Sequence, residues 1–131
     1  MSARVLLVED NPTNLDLMTY LLRALGYDVA SATQALEGLA LARASKYDLV
    51  LADILMPDVD GFEFARRFKA DKGLADTPLV AVTALAMTGD REKILAAGFD
   101  GYISKPIEPQ KFGTQIQAFL KRSKSGKSFD R

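Results

Sequence analysis

Four segments of this 131-residue chain end in side chains that can do chemistry. The apolar run Val5–Val8 is followed at once by Glu9 and Asp10, and the run Leu49–Ala52 by Asp53. The run Leu79–Val82 is followed by Thr83, and the segment Gly101–Ser104 by Lys105 and Pro106. Two carboxylates about 4 Å apart repel by roughly 4 kcal/mol at an effective dielectric near 20. Adjacent acids at the mouth of a greasy strand therefore ask for a cation. An all-oxygen donor set suits Mg2+, which takes one or two carboxylates, keeps several waters and shares a phosphate. Glu9, Asp10 and Asp53 would make such a half-filled site. Asp53 is then the natural nucleophile, because a carboxylate can attack phosphorus and become an aspartyl phosphate. Mg2+ and Lys105 would neutralise charge on the transferring group, and Thr83 would donate a hydrogen bond to one of its oxygens. Such catalysis works by positioning and electrostatics.

Composition removes most other chemistries. The chain has no cysteine and no histidine. Disulfides, thiolate or imidazole metal sites and Ser-His-Asp triads are excluded together. Hydrophobic residues make up 48% and charged residues 26%, the balance of a folded globular domain. The formal net charge is zero. Coating nucleic acid or an anionic membrane needs surplus Lys and Arg, so neither is an expected partner. No apolar run approaches the roughly 20 residues that span a bilayer, and the N-terminus lacks a signal-peptide pattern. A cytoplasmic location is expected.

The elements that must position these residues follow from periodicity. The runs at 5–8, 49–52 and 79–82 are apolar throughout, as strands covered on both faces should be. Weaker strands fit Tyr27–Ser31 and Gly101–Ser104. Helical spacing joins Leu15, Met18, Leu22 and Leu25, with Gly26 as the stop. Leu36, Leu39 and Ala40 mark a second helix. Phe62, Ala65 and Phe68 mark a third after Asp60-Gly61. Thr88-Gly89-Asp90 opens a fourth, ending at Gly98, and Phe112, Ile116, Phe119 and Leu120 stripe a fifth that ends near Arg122. Strand and helix thus alternate five times. That order predicts an α/β fold, a doubly wound, flavodoxin-like five-stranded parallel sheet in the order 2-1-3-4-5 with five helices. One domain over 1–122 is expected, with a disordered polar tail at 123–131. The tail's Gly126-Lys127-Ser128 lacks the earlier glycine and following helix of a phosphate loop. Sites in open parallel sheets form outside the carboxyl ends of strands, where strand order reverses. In the 2-1-3-4-5 order, strands one, three, four and five are neighbours. One acid after one strand is ordinarily just a cap or a loop residue. Acids, hydroxyl and amine on four adjacent strand ends are not explained by capping.

The motifs "LLVEDNPTN", "DLVLADILMPDVDGFEF" and "PLVAVTALAMTGDREKILAAGFDGYISKPI" resemble, in order and spacing, those of two-component response-regulator receiver domains. The likeness runs from about Arg4 to Arg122 and is greatest to receivers of hybrid sensor kinases and of stand-alone regulators. It implies that Asp53 is the phosphoacceptor. It implies that Asp10, Asp53 and the backbone carbonyl of Leu55 bind Mg2+ directly, with Glu9 acting through water. Thr83 and Lys105 would contact the phosphoryl oxygens, Tyr102 would be the switch aromatic, and Lys105-Pro106 would be cis. The partners implied are a sensor histidine kinase or histidine phosphotransfer protein and a downstream protein target. The chain would not be an enzyme beyond catalysing its own phosphoryl transfer and slow dephosphorylation. Its output, without an attached effector, would be contact, phosphorelay or a phosphate sink.

Two other classes compete. A phosphatase of the haloacid dehalogenase type also uses a strand-end Asp, Mg2+, Thr and Lys. It needs an acid two residues after the nucleophile, where this chain has Leu55, and usually a cap domain. A flavin or nucleotide carrier would want a Ser/Thr/Gly-rich loop after strand one, where "EDNPTN" stands. Leu55 and Leu85, two residues beyond Asp53 and Thr83, are expected to flank the path of a hydrolytic water and, being unable to orient it, to prolong the phosphorylated state.

Overall fold

The computed structural model describes residues 3–84 and 90–125. The chain alternates β1 (Arg4–Val8), α1 (Pro12–Ala24), β2 (Asp28–Ala32), α2 (Ala35–Ala44), β3 (Leu49–Ala52), α3 (Gly61–Ala70), β4 (Leu79–Thr83), α4 (Asp90–Ala97), β5 (Gly101–Ser104) and α5 (Pro109–Ser125). The strands form one parallel sheet in the order β2-β1-β3-β4-β5, as the alternation predicts. None of the described helices is long and apolar enough to cross a membrane.

Alternate residues of the central strands feed two cores. Leu6, Val8, Val50, Ala52, Leu79 and Ala81 face α2, α3 and α4, where Phe64 and Phe68 are the largest buried side chains. Val5, Leu7, Leu49, Leu51, Val80 and Val82 face α1 and α5, against Met18, Leu22, Phe112 and Ile116. Burying each such phenylalanine contributes about 2 kcal/mol in transfer free energy. Because the strands carry apolar residues on both faces, a one-residue slip would bring the wrong set to each helix layer.

Several helix faces differ from the expected stripes. In α2 the buried residues are Ala35, Gly38, Leu39 and Ala42, whereas Leu36 and Ala40 face solvent. The helix sits so close to β1 that a Cβ on Gly38 would lie 2.7 Å from Val8 Cγ2. Leu39 is the one large side chain on the buried face, and Ala35, Gly38 and Ala42 make up the rest. Leu25 is the C-cap of α1 and half exposed rather than core. In α3, Phe64 takes the deep position and Phe62 is half-buried. β2 begins and ends one residue later than expected. α5 continues to Ser125, past Arg122, since no helix breaker comes before Gly126. The expected tail from residue 126 onward lies outside the described residues, as do Thr88 and Gly89, which were expected to open α4.

The approach to α3 is the tightest in the fold. Asp60 caps it, its side chain accepting from the Glu63 amide at 2.9 Å. Gly61 N donates to Ile54 O at 2.7 Å. A Cβ on Gly61 would lie 2.3 Å from Ile54 Cα and 3.0 Å from Asp53 O. The loop leaving β3 is thus folded back flat onto the first turn of α3.

Candidate functional site

Three of the four parallel ladders, β1–β2, β1–β3 and β4–β5, are extended by one hydrogen bond at the carboxyl end, and these bonds align the site. Glu9 N donates to Ala32 O at 3.0 Å, Asp53 N to Val8 O at 3.0 Å and Lys105 N to Thr83 O at 2.9 Å. Glu9, Asp53 and Lys105, the residues after β1, β3 and β5, are therefore held nearly as firmly as the strands. Side-chain alternation then turns Glu9 inward, 1% exposed, and leaves Asp10 at the surface. Asp53 is 6% exposed and Thr83 wholly buried.

Glu9, Asp10 and Asp53 each offer a carboxylate oxygen, and those oxygens lie within 4.8 Å of one another. Lys105 joins them from β5. Its Nζ donates to Asp53 Oδ2 at 2.9 Å and lies 3.0 Å from Glu9 Oε1. The contact to Glu9 is an ion pair whose alignment falls short of a hydrogen bond, so the buried Oε1 has no donor of its own. Glu9 Oε2 accepts from Asn11 N at 3.1 Å, and Asp53 Oδ1 accepts from Leu55 N at 3.1 Å. One ammonium thus serves two buried carboxylates while Asp10 adds a third charge.

The electrostatics follow from that shortage. Burial raises the Glu9 carboxyl above its ordinary value, and the Lys105 ammonium and the Asn11 amide pull it down without cancelling the effect. Burial works against the charge on Lys105, but its contacts with Asp53 and Glu9 outweigh burial and hold its pKa above the ordinary value. Three carboxylates converging on one ammonium, with no His or Cys among them, fit a hard divalent cation. The donor set matches Mg2+ in kind.

The remaining expected residues are placed as follows. Thr83 pairs with Ser104 in the β4–β5 register, and Tyr102 pairs with Ala81. Tyr102 is half-buried and packs against the core on the α2, α3 and α4 side. Leu55 stands at the mouth of the site, 58% exposed. The Lys105-Pro106 bond is cis. Leu85 lies outside the described residues. Sequence reasoning missed Asp58, whose carboxylate accepts from Ala35 N and Leu36 N at 2.9 Å each. The available signal was negative: Gln34, at the start of α2, gives no side-chain cap.

Comparison with known proteins gives the family and the fold. The family model described as the response regulator receiver domain matches residues 5–117. The polar-differentiation response regulator DivK of Brucella ovis is 42% identical over 120 residues, 92% of this chain and 98% of the relative. The receiver domain of a sensor histidine kinase from Pseudomonas aeruginosa, solved with a magnesium ion coordinated in its active-site cleft, superposes with a TM-score of 0.85 at 33% identity. The match covers 92% of this chain and 99% of that one. Chemotaxis response regulator CheY4 of Vibrio cholerae gives a TM-score of 0.86 at 27% identity, over 91% of this chain and 99% of that one.

Proposed function

Because the chain belongs to the response regulator receiver domain family, we propose that it is a phosphorylation-dependent signalling switch whose acceptor is Asp53. The observation that carries the reading is the Asp53 carboxylate itself. It is buried at a strand end, bonded to Lys105 Nζ at 2.9 Å, and within 4.8 Å of two further acids.

A phosphohistidine on a partner kinase or phosphotransfer protein supplies the phosphoryl group. An Asp53 oxygen forms the new bond to phosphorus as the bond to the imidazole nitrogen breaks, and that nitrogen leaves with the electron pair. Asp10, Asp53 and the Leu55 carbonyl, with Glu9 through water, would hold Mg2+, which would supply positive charge to the phosphoryl oxygens. Lys105 is already within reach of the acceptor and neutralises a further oxygen. Thr83 donates its hydroxyl to another. The Leu55 amide fixes the acceptor's second oxygen, so the carboxylate meets phosphorus in one orientation. Asp53 and its neighbours act on the chain itself, catalysing its own phosphoryl transfer and slow dephosphorylation. Residues 1–122 form the switch unit. Output passes through α4, β5 and α5, with Tyr102 moving inward as Thr83 is drawn toward the phosphoryl group. The proposed partners are a histidine kinase or phosphotransfer protein and a downstream protein target, and a cytoplasmic location goes with them. The haloacid dehalogenase alternative is not supported, since residue 55 is a leucine and the family is that of receivers.

The test is incubation with acetyl phosphate and Mg2+. One base-labile phosphoryl group per chain is expected by intact mass, and none with EDTA. Label that forms equally in EDTA would overturn the reading. A further expectation concerns lifetime. The exposed Leu55 side chain cannot orient a water toward phosphorus, so Leu55→Asn should shorten the half-life of the acyl phosphate several-fold. Equal decay curves for the two proteins would show that Leu55 does not govern access.

A further inference from the structure

The sheet bond from Asp53 N to Val8 O fixes only the start of the loop that leaves β3, and Asp58 ties the middle of that loop to α2. It lies in the loop between Asp53 and α3, and its carboxylate accepts from Ala35 N and Leu36 N, one oxygen to each at 2.9 Å. These are the first two amides of α2, orphan donors in any helix, and α2 brings no side-chain cap from Gln34. The cap comes instead from a residue more than twenty positions downstream, |i−j| being 23 and 22 for the two bonds. The α2 helix in turn is seated on the other half of the site. Gly38 lets it approach Val8, the residue before Glu9, with a would-be Cβ distance of 2.7 Å. Ala32, where β2 ends ahead of α2, accepts from Glu9 N at 3.0 Å.

A closed circuit results. From Asp53 the chain runs to Asp58, across to the first turn of α2, through Gly38 to Val8, and back to Glu9 and Asp10. At its other end the same loop is pinned by Gly61 N to Ile54 O at 2.7 Å and by Leu55 N to Asp53 Oδ1 at 3.1 Å. Without Asp58 the middle of the loop would have no bond to the β1 side.

We propose that Asp58 is a positioning residue: by capping α2 from the acceptor loop it holds that loop against the β1 acids, and so couples cation and phosphoryl binding to the start of α2. The proposal rests on the receiver reading of the site and adds to it a residue that touches neither ligand. Coupling of this kind is reciprocal. If Asp58 improves the geometry for Mg2+, then Mg2+ must firm the Asp58 bonds.

The experiment is a titration with Mg2+, then with Mg2+ plus beryllofluoride as the acyl-phosphate mimic, followed by NMR on the full chain. Amide exchange at Ala35 and Leu36 is recorded alongside. In the wild type, ligand should slow exchange at both amides. Asp58→Ala should weaken Mg2+ binding by about 5-fold or more and abolish the exchange response. Asp58→Asn keeps one acceptor oxygen and should fall between them, which guards against a simple folding failure of the alanine variant. Arg43→Ala is the control. It removes the Arg43–Asp71 ion pair at the far end of α2, 2.9 Å in the native fold, and should leave Mg2+ affinity unchanged. Wild-type affinity in Asp58→Ala, or equal weakening in Arg43→Ala, overturns the proposal. A wild-type chain that binds neither ligand overturns the receiver reading with it, whereas binding that is indifferent to Asp58 defeats this inference alone.

Discussion

Asp53→Asn should fold like the wild type and take up no phosphoryl group from acetyl phosphate and Mg2+. The amide retains the shape of the carboxylate and one oxygen to accept from Leu55 N, now 3.1 Å from Asp53 Oδ1. It lacks the nucleophilic anion on which acyl phosphate formation depends. The wild-type cluster sets three acids against the single ammonium of Lys105. Removing one charge relieves repulsion, so thermal stability without metal should not fall. The stabilisation that Mg2+ gives the fold should shrink, since binding to the native state stabilises it in proportion to affinity. Intact mass and thermal melts with EDTA and with Mg2+ check both parts. Label persisting on the variant would place the acceptor elsewhere.

Lys105→Ala should separate two properties that fall together in most site variants. Phosphorylation should slow by about 100-fold, the scale seen when one preorganised charge-stabilising donor is removed. Mg2+ binding should tighten, by about 10-fold, because the competing cation is gone from beside Glu9 and Asp53. Stability should change with pH in a defined direction. Glu9 has a folded pKa above its ordinary 4.5, so its contribution is fully present below that value and is lost as pH rises through the raised pKa. Without Lys105 the Glu9 pKa goes higher still, and the metal-free variant should lose more stability between pH 5 and about pH 7 than the wild type. Lys105 works in the opposite range. Its contribution is complete below 10.5 and is lost only as pH rises through its raised folded pKa. Urea midpoints at pH 5 and about pH 7, with EDTA and with Mg2+, isolate the Glu9 effect, because the Lys105 linkage lies above 10.5. Slower phosphorylation accompanied by weaker Mg2+ binding would mean that Lys105 organises the acids rather than competing with the ion.

The sheet was legible because burial on both faces leaves β1, β3 and β4 as uninterrupted apolar runs, and their ends then named Glu9, Asp10, Asp53 and Thr83. The α2 face was not. Of its buried residues Ala35, Gly38, Leu39 and Ala42, only Leu39 is large enough to register in a search for large apolar side chains, and the close approach to β1 is made by Gly38. Of the expected stripe, Leu39 is buried whereas Leu36 and Ala40 are exposed. In α3, three phenylalanines at 62, 64 and 68 compete for one face, and periodicity alone picked 62 and 68, whereas 64 and 68 are buried with their rings 5.9 Å apart. Asp58 was missed for a different reason. A cap supplied from a distant loop leaves no local pattern around the helix it serves. Nor does sequence say which of two adjacent acids turns inward; the pleat decides that for Glu9.

The contact at Gly61 has a consequence for descent. A methyl group there would collide with the backbone of Ile54, and backbone cannot move aside as a flexible side chain can. The constraint owes nothing to phosphoryl chemistry. A descendant that had lost Asp53, Lys105 and every trace of signalling could let those positions drift, yet its loop would still have to close over the same turn. Glycine at this position should therefore outlast the acids in degenerate copies, a fossil of the scaffold rather than of the reaction.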